Sequence, residues 1–402
     1  MTELAAVQRH TIRVLSAGQV LGGISFGATV SLGAVLAAEI SGDDALSGLA
    51  TAAITLGTAL TAVPLAALAR GRGRRPALAT GMTIALAGVG LVLTAVAVAS
   101  FPLLLLAFTL IGAGQAANLQ SRFAATDLAT DSTRGRDLSI VVWTTTIGAV
   151  LGPNLVGPGE VLGELVGMPT LTGPYLFTVV AQLLGIALYL VALRPDPLLL
   201  AQRVVAAHDS AAERIVRADR PRAAGYATLA IVTAHGVMVS IMAMTPIHLM
   251  HHGATLTIVG LTISLHIAGM YALSPVFGLL ADRWGRVPTI LLGFCVLLAC
   301  VAVIVLGPHD QSAVTAALVL LGLGWSAVTV AGSALLTEAS SEELRTRRQG
   351  RNDFLMSLVA ALGATGAGAA LSWIGFAGLA LACLPVLLMA GMLAPVAVRA
   401  SR

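Results

Sequence analysis

The chain has 402 residues, 57% of them hydrophobic and only 10% charged, with a mean hydropathy of +0.91. That is too apolar and too charge-poor for a water-soluble domain. A formal net charge of +4 and a pI near 9.4 would suggest nucleic acid as a partner in a soluble protein. The placement of the cations excludes that reading here. Lysine is absent, and the 23 basic residues are all arginine, gathered into separate groups along the chain. Enzyme chemistry is not expected either. There is no catalytic triad, no carboxylate dyad and no phosphate-binding loop, and the glycines are dispersed through apolar segments as packing residues.

In chain order, the apolar segments predict spans at 11–38, 46–69, 76–98, 101–125, 138–157 and 174–194, a polar linker at 195–224, then spans at 225–250, 256–281, 288–307, 311–337, 352–373 and 375–397. Arginines stand at Arg9 and Arg13, at 70–75, 122–136 and 194–222, at Arg283 and Arg286, at 345–351, and at Arg399 and Arg402. Two apolar segments joined by an arginine-free turn separate each group from the next. Those turns carry Glu39, Asp43 and Asp44, then Glu160 and Glu164, then His251 and His252, then Asp310. By the positive-inside rule the arginine groups are cytoplasmic. The expectation is an all-α membrane protein of twelve transmembrane helices with both termini inside. No cleavable signal is expected, because the first apolar segment is too long for one and leads into a second span. The linker holds Asp196, Asp209, Glu213, Arg214, Arg217 and Asp219 and has some helical character. It divides the chain into a half at 1–194 and a half at 225–402. The three cysteines, Cys295, Cys300 and Cys383, all fall inside apolar segments, which argues against a disulfide framework.

The halves repeat. Gly57, Gly73, Arg74, Pro76 and Gly81 return as Gly269, Gly285, Arg286, Pro288 and Gly293, each displaced by 212, and Gly112 and Gly114 return as Gly322 and Gly324, displaced by 210. Two six-helix repeats of this kind are the architecture of the major facilitator superfamily. The stretch Gly278, Leu279, Leu280, Ala281, Asp282, Arg283, Trp284, Gly285, Arg286 resembles that superfamily's loop signature. Its glycines permit a tight turn and close helix contact. Asp282 can accept hydrogen bonds at a helix N-terminus in the other half, and the arginines hold the loop at headgroup level. The first-half copy is degenerate, with Ala66 in place of the glycine and Arg70 in place of the aspartate. Gly148-x3-Gly152-Pro153 in the fifth span is similar to a motif of drug/proton antiporters, but a small-residue packing face with a proline kink reads it as well. Phe108 stands where many proton-coupled members carry an arginine. No carboxylate falls in the middle of a predicted span. Asp127 and Glu338 lie at helix ends beside Arg134, Arg136, Arg345 and Arg348, where paired gate-stabilising networks are expected. Without an intramembrane carboxylate, proton antiport would fall to His266.

The residues 235–270 hold ten of the chain's nineteen methionines and histidines, where an even spread would give about two. Met238 and Met242 lie i, i+4 on one helix, and His266 and Met270 do so on the next. The two pairs straddle residue 254 symmetrically, so an antiparallel hairpin sets Met242 at the depth of His266 and Met238 at that of Met270. At a rise of ~1.5 Å per residue they lie roughly 17 Å from the outer turn, near the middle of a ~30 Å hydrocarbon slab. Three thioethers and an imidazole suit a soft monovalent ion such as Cu(I), held loosely enough to be released. Methionine also fills gaps in cores, and a buried imidazole is equally satisfied by a backbone carbonyl or by a residue such as Tyr271. The pair of pairs resembles the copper uptake transporters of the CalT type, in which such motifs on the seventh and eighth helices are the proposed ligands. That resemblance implies a secondary transporter that takes up copper through Met238, Met242, His266 and Met270, latched by Gly278, Asp282, Arg283, Gly285 and Arg286. His248, Met250, His251 and His252 would gather the ion at the outer mouth, or form a solvated polar turn. Copper would be the transported substrate, with no resident cofactor. A copper chaperone or acceptor is a candidate partner, the oligomeric state expected is a monomer, and the location expected is a bacterial cytoplasmic membrane. The competing cargo is a small organic solute, taken up like a flavin or expelled like a drug. An aromatic content of 4% disfavours a stacked flavin ring.

Overall fold

The computed structural model describes residues 2–43, 46, 48–130, 132–208, 219–254 and 256–395. Asp44, Asp209, Glu213, Arg214, Arg217, Arg399 and Arg402 lie outside them. The described residues contain helices and no strands: α1 (Thr2–Ser41), α2 (Gly48–Arg72), α3 (Arg74–Ala97), α4 (Phe101–Ala124), α5 (Arg134–Asn154), α6 (Val156–Leu165), α7 (Tyr175–Ala192), α8 (Pro197–His208), α9 (Pro221–His251), α10 (Leu256–Tyr271), α11 (Ser274–Arg283), α12 (Arg286–Leu306), α13 (Gln311–Glu338) and α14 (Glu342–Met392). Helix is what lipid demands, since a spanning segment must satisfy its own backbone groups. Nine helical stretches among the described residues are long and apolar enough to cross a membrane. Over their described residues the twelve predicted spans are mainly helical. Two are less simple than the hydropathy suggests. The span at 256–281 is broken between α10 and α11, and α14 carries two spans across a break at Gly375, whose φ is 69°. The arginine-free turn with Glu160 and Glu164 is itself helical, as α6.

The chain forms two compact units. Unit 1 comprises 1–129, 144–215 and 349–357; unit 2 comprises 130–143, 216–348 and 358–402. These boundaries do not coincide with the sequence halves, because the start of α5 belongs to unit 2 and residues 349–357, inside α14, belong to unit 1.

The repeated glycines explain how each unit packs. In unit 1, α2 crosses α4 with backbones touching: a Cβ on Gly57 would fall 1.8 Å from the Thr109 carbonyl oxygen, and one on Gly112 would fall 2.3 Å from that of Ile54. In unit 2 the same crossing joins α10 to α13. There a Cβ on Gly322 would lie 2.4 Å from the His266 carbonyl oxygen and 2.8 Å from the Met270 nitrogen, and one on Gly269 would lie 2.8 Å from the Val319 oxygen. Small residues at helix crossings give the close packing that drives association in lipid. Phe108 is fully buried in the apolar core of unit 1 with Leu32, Leu36 and Ile54. Gly148 packs against Gly23 and Val20 of α1, so the antiporter-like motif sits on a helix-packing face.

Candidate functional site

The loop between α11 and α12 is built around Asp282. Its two carboxylate oxygens accept from the backbone amides of Gly135 (2.9 Å) and Arg136 (2.8 Å) in the first turn of α5, and Arg286 Nη1 donates to it at 2.7 Å. A helix start presents unpaired N–H groups and a positive dipole end, so a carboxylate there is favoured twice over. Gly278 makes the approach possible: a Cβ on it would meet Ser139 Oγ at 2.3 Å and the Gly135 carbonyl oxygen at 2.6 Å. Gly285, at φ 101°, turns the chain into α12. Arg286 also donates to Glu338 at 3.3 Å, and Arg220 donates to Glu338 at 2.9 Å. Arg283 points to solvent.

At mid-depth of unit 2, α9 and α10 each pack mainly on α13. His266 is fully buried, its Nδ1 bonded to the Leu318 carbonyl of α13 at 2.8 Å. Its Nε2 is buried and has no hydrogen-bond partner. Met270 and Met238 are buried, and Met242 is half-buried. By helical spacing both methionines share the α9 face of Ile231 and His235, which pack on Gly332 and Trp325 of α13. The two motifs are thus both organised by α13, whose contacting residues lie 52 residues beyond His266 and 90 beyond His235.

Three aromatic rings meet at the same level. Trp325 Nε1 donates to His235 Nδ1 at 2.9 Å, and Tyr271 sets its ring edge-on to Trp325 at 5.8 Å between centroids. The residues sit near the middle of α13, the middle of α9 and the α10–α11 break. Tryptophan nitrogen bonding of this kind fixes a ring in one rotamer. On α13, Ser326, Thr329 and Ser333 follow Gly322 along one helix face, and all three hydroxyls are buried without a partner.

Where α9 ends in unit 2 lies a cavity of about 640 Å³, lined by Met244, His248, His251, His252, His309 and Phe376 among others. His248 bonds the Pro308 carbonyl and stacks on Phe376 at 4.3 Å. His252 Nδ1 bonds the His248 carbonyl at 2.8 Å, so it carries the hydrogen there, and its Nε2 accepts from His309 Nδ1 at 2.8 Å. His251 and Met250 are exposed. His309 escapes sequence reasoning, being a single histidine fifty-seven residues from its partner. Among the described residues no group of three or more His, Cys, Asp or Glu is arranged to hold a metal ion.

Unit 1 has a different polar interior. Gln19 Nε2 donates to the Asn118 carbonyl at 3.1 Å, and Gln182 Nε2 donates to Ser25 Oγ at 2.8 Å. Both amide oxygens, Gln19 Oε1 and Gln182 Oε1, are left buried and without a donor. A small pocket bordered by Gly22, Ser25, Met82, Gln115, Asn118 and Gln182 lies among them. At the arginine-bearing end, Arg74 grips both oxygens of Asp127 (2.8 and 3.1 Å), and Arg122 pairs with Asp353. Both pairs are almost entirely excluded from solvent.

A family model, the Major Facilitator Superfamily, matches residues 15–253 and again 227–402. The chain is 35% identical over 370 residues to the MFS-type transporter YddS of Bacillus subtilis, covering 88% of this chain and 83% of that one. It is 30% identical over 406 residues to the riboflavin transporter RfnT of Brucella anthropi, covering 96% and 97%. Among solved structures, the human organic anion transporter MFSD10 (TETRAN) superposes with a TM-score of 0.76 at 16% identity, over 96% of this chain and 99% of that one.

Proposed function

The chain belongs to the Major Facilitator Superfamily and is a multi-pass secondary membrane transporter, and from that premise we propose that its cargo is a small planar heteroaromatic solute with a hydrogen-bonding rim, of the flavin class. The observation that carries this reading is the ring cluster of Trp325, His235 and Tyr271. Aromatic residues are scarce in the chain, yet a tryptophan and a tyrosine meet a histidine ring at mid-depth, the three drawn from three helices. Ring stacking on such a platform contributes about 1–3 kcal/mol per stacked base-like ring. The unpartnered hydroxyls of Ser326, Thr329 and Ser333 on α13, in the same unit, support it. A buried acceptor without a donor costs about 1–3 kcal/mol, and imide N–H and ribityl hydroxyl groups are donors that would relieve it. The similarity to a riboflavin transporter along nearly the whole chain points the same way.

In this account the arginine-bearing face and both termini are cytoplasmic, in a bacterial inner membrane. The six-helix halves 1–194 and 225–402 alternate access to the solute, and the contact of Asp282 with the start of α5 closes the cytoplasmic side. The test is uptake of labelled riboflavin by a bacterium lacking its own riboflavin carrier. Expression of this chain should restore uptake, Trp325→Ala should raise the apparent KM by roughly tenfold or more, and Trp325→Phe should recover most of it. Uptake indistinguishable from empty cells, or a Trp325→Ala variant transporting like the native protein, would refute the assignment.

A copper cargo is the second reading, and one observation favours it. The His266 Nε2 lone pair is buried and unclaimed, as a soft-ion ligand would be. Copper accumulation that is lost in His266→Ala and Met242→Ala, with riboflavin uptake absent, would select it.

A further inference from the structure

Four rings stand in a column where α9 ends in unit 2. Phe376 stacks on His248 at 4.3 Å between centroids, His248 lies 4.3 Å from His252, and His252 lies 4.8 Å from His309. Helix ends hold the last two in place. His252 is the C-cap of α9, where Gly253 at φ 79° turns the chain back and the Ala254 amide donates to the Leu249 carbonyl at 3.0 Å. His309 precedes Asp310, whose Oδ1 caps α13 through the Ser312 and Ala313 amides. Gln311 Nε2 ties the two turns together by donating to the His252 carbonyl at 3.2 Å.

The hydrogen bonds fix the tautomer of His252. Its Nδ1–H is spent on the His248 carbonyl, so Nε2 carries a lone pair, and that lone pair is aimed at His309 Nδ1, 2.8 Å away. An imidazole whose Nδ1–H rests on a backbone carbonyl, with Nε2 left free to bind, is the arrangement that metal-bound histidines adopt. Both rings are exposed and border the cavity of about 640 Å³, so an ion reaches them together with its water.

We propose that His252 and His309 form a site for a divalent transition-metal ion of the zinc class, an effector distinct from the cargo. Binding inserts the ion between His252 Nε2 and His309 Nδ1. The two nitrogens move apart from 2.8 Å to about 3.3 Å, as two Zn–N bonds of ~2.0–2.1 Å at a tetrahedral angle require. His309 shifts its ring hydrogen from Nδ1 to Nε2 through solvent, and the ion exchanges two water ligands for two nitrogens. No net proton or electron moves. Among the described residues no group of three or more His, Cys, Asp or Glu is arranged as a closed shell, so water or chloride completes the coordination. A shell left open in this way exchanges its ion, whereas closed four-ligand sites are structural. The converging donors are two imidazoles and no thioether, which suits a borderline ion in place of the soft one expected at Met238, Met242, His266 and Met270. Trp325 lies sixteen residues beyond His309, about 24 Å at helical rise, so an ion here touches none of the rings proposed to hold the cargo. Its effect is to clamp the end of α9 to the turn at 307–310.

Zinc titration of the full chain tests this, with the protein purified in detergent through a histidine-free tag and no solute present. Calorimetry should show a saturable zinc site, and zinc should raise the melting temperature and slow deuterium exchange across 249–254 and 307–312. His252→Ala and His309→Ala should each weaken zinc binding by roughly tenfold or more. His309→Cys offers a thiolate and should restore it, a rescue that a role in ring stacking alone would not permit. His266→Ala should bind zinc like the native protein, which separates this site from the mid-depth one. Melting curves without zinc establish that each variant is folded. The proposal is overturned if the native protein binds no zinc, if affinity is unchanged in His252→Ala and His309→Ala, or if it is lost in His266→Ala.

Discussion

The two copies of the repeated loop, Gly73–Arg74 in unit 1 and Gly285–Arg286 in unit 2, begin alike and end differently. Each glycine has a positive φ, 96° and 101°, and starts a helix whose first arginine reaches an acid at the end of the next long helix, Asp127 or Glu338. In unit 2 the loop's own Asp282 caps α5, and the Arg286–Glu338 pair stays partly open, with Glu338 28% exposed. In unit 1 the loop has Arg70 in place of an aspartate. The missing carboxylate comes instead from Asp196, beyond α7, which accepts from the Arg75 amide at 2.7 Å and lies where a Cβ on Gly73 would be. The Arg74–Asp127 pair beside it is sealed, at 1% and 0% exposure. One copy has become a buried structural lock, while the other keeps a charged contact that water can reach and a conformational change can break.

That contrast sets an order of effects. Removing half of the sealed pair, as in Asp127→Ala, strands Arg74 in the interior. It should destabilise the protein by about 3–5 kcal/mol, whereas Glu338→Ala, at a wetter pair, should change it by less than about 1 kcal/mol. Thermal unfolding of the purified variants in one detergent compares them directly, and equal losses would erase the distinction between the copies. Asp282→Ala removes a helix cap and should lower thermal stability by about 1 kcal/mol. Its larger effect should fall on transport, because this contact, unlike Arg74–Asp127, is proposed to break in every cycle. Flux measured beside the melting curve separates the two. The smallest effect concerns Asp219, whose carboxyl is held below its usual pKa, first by hydrogen bonds from Arg348 and further by the Ser341 amide. A depressed folded pKa contributes stability at neutral pH that is lost as pH falls through that lowered value. Asp219→Asn should therefore weaken the native protein slightly at pH 7 and flatten its acid sensitivity, as melting curves taken from pH 7 down to about pH 2 would record.

Much of this fold was legible in the sequence because lipid imposes a length and a composition on each span. Gly57, Gly112, Gly269 and Gly322 were visible as a repeat, and the structure shows their shared role as helix crossings. The motif around Asp282 was visible as well, and its carboxylate sits on the amides of Gly135 and Arg136. What escaped the sequence depends on distant partners or on backbone atoms. Asp353 reads as the polar edge of a span beside Arg351, and only the fold shows it sealed against Arg122. His235, Tyr271 and Trp325 are separated by up to ninety residues, so a low aromatic content conceals their convergence. The hairpin symmetry of Met238, Met242, His266 and Met270 was readable. The intervention of α13 was not, because His266 is held by a carbonyl, that of Leu318, which every residue type carries.

The cargo is tested most directly by thermal stabilisation of the purified, detergent-solubilised protein with riboflavin and with Cu(I), side by side with Trp325→Ala. The account predicts a concentration-dependent rise in melting temperature with riboflavin, as binding to the native state requires, abolished in Trp325→Ala and absent with Cu(I). Stabilisation by Cu(I) alone, lost on replacing His266, would contradict it.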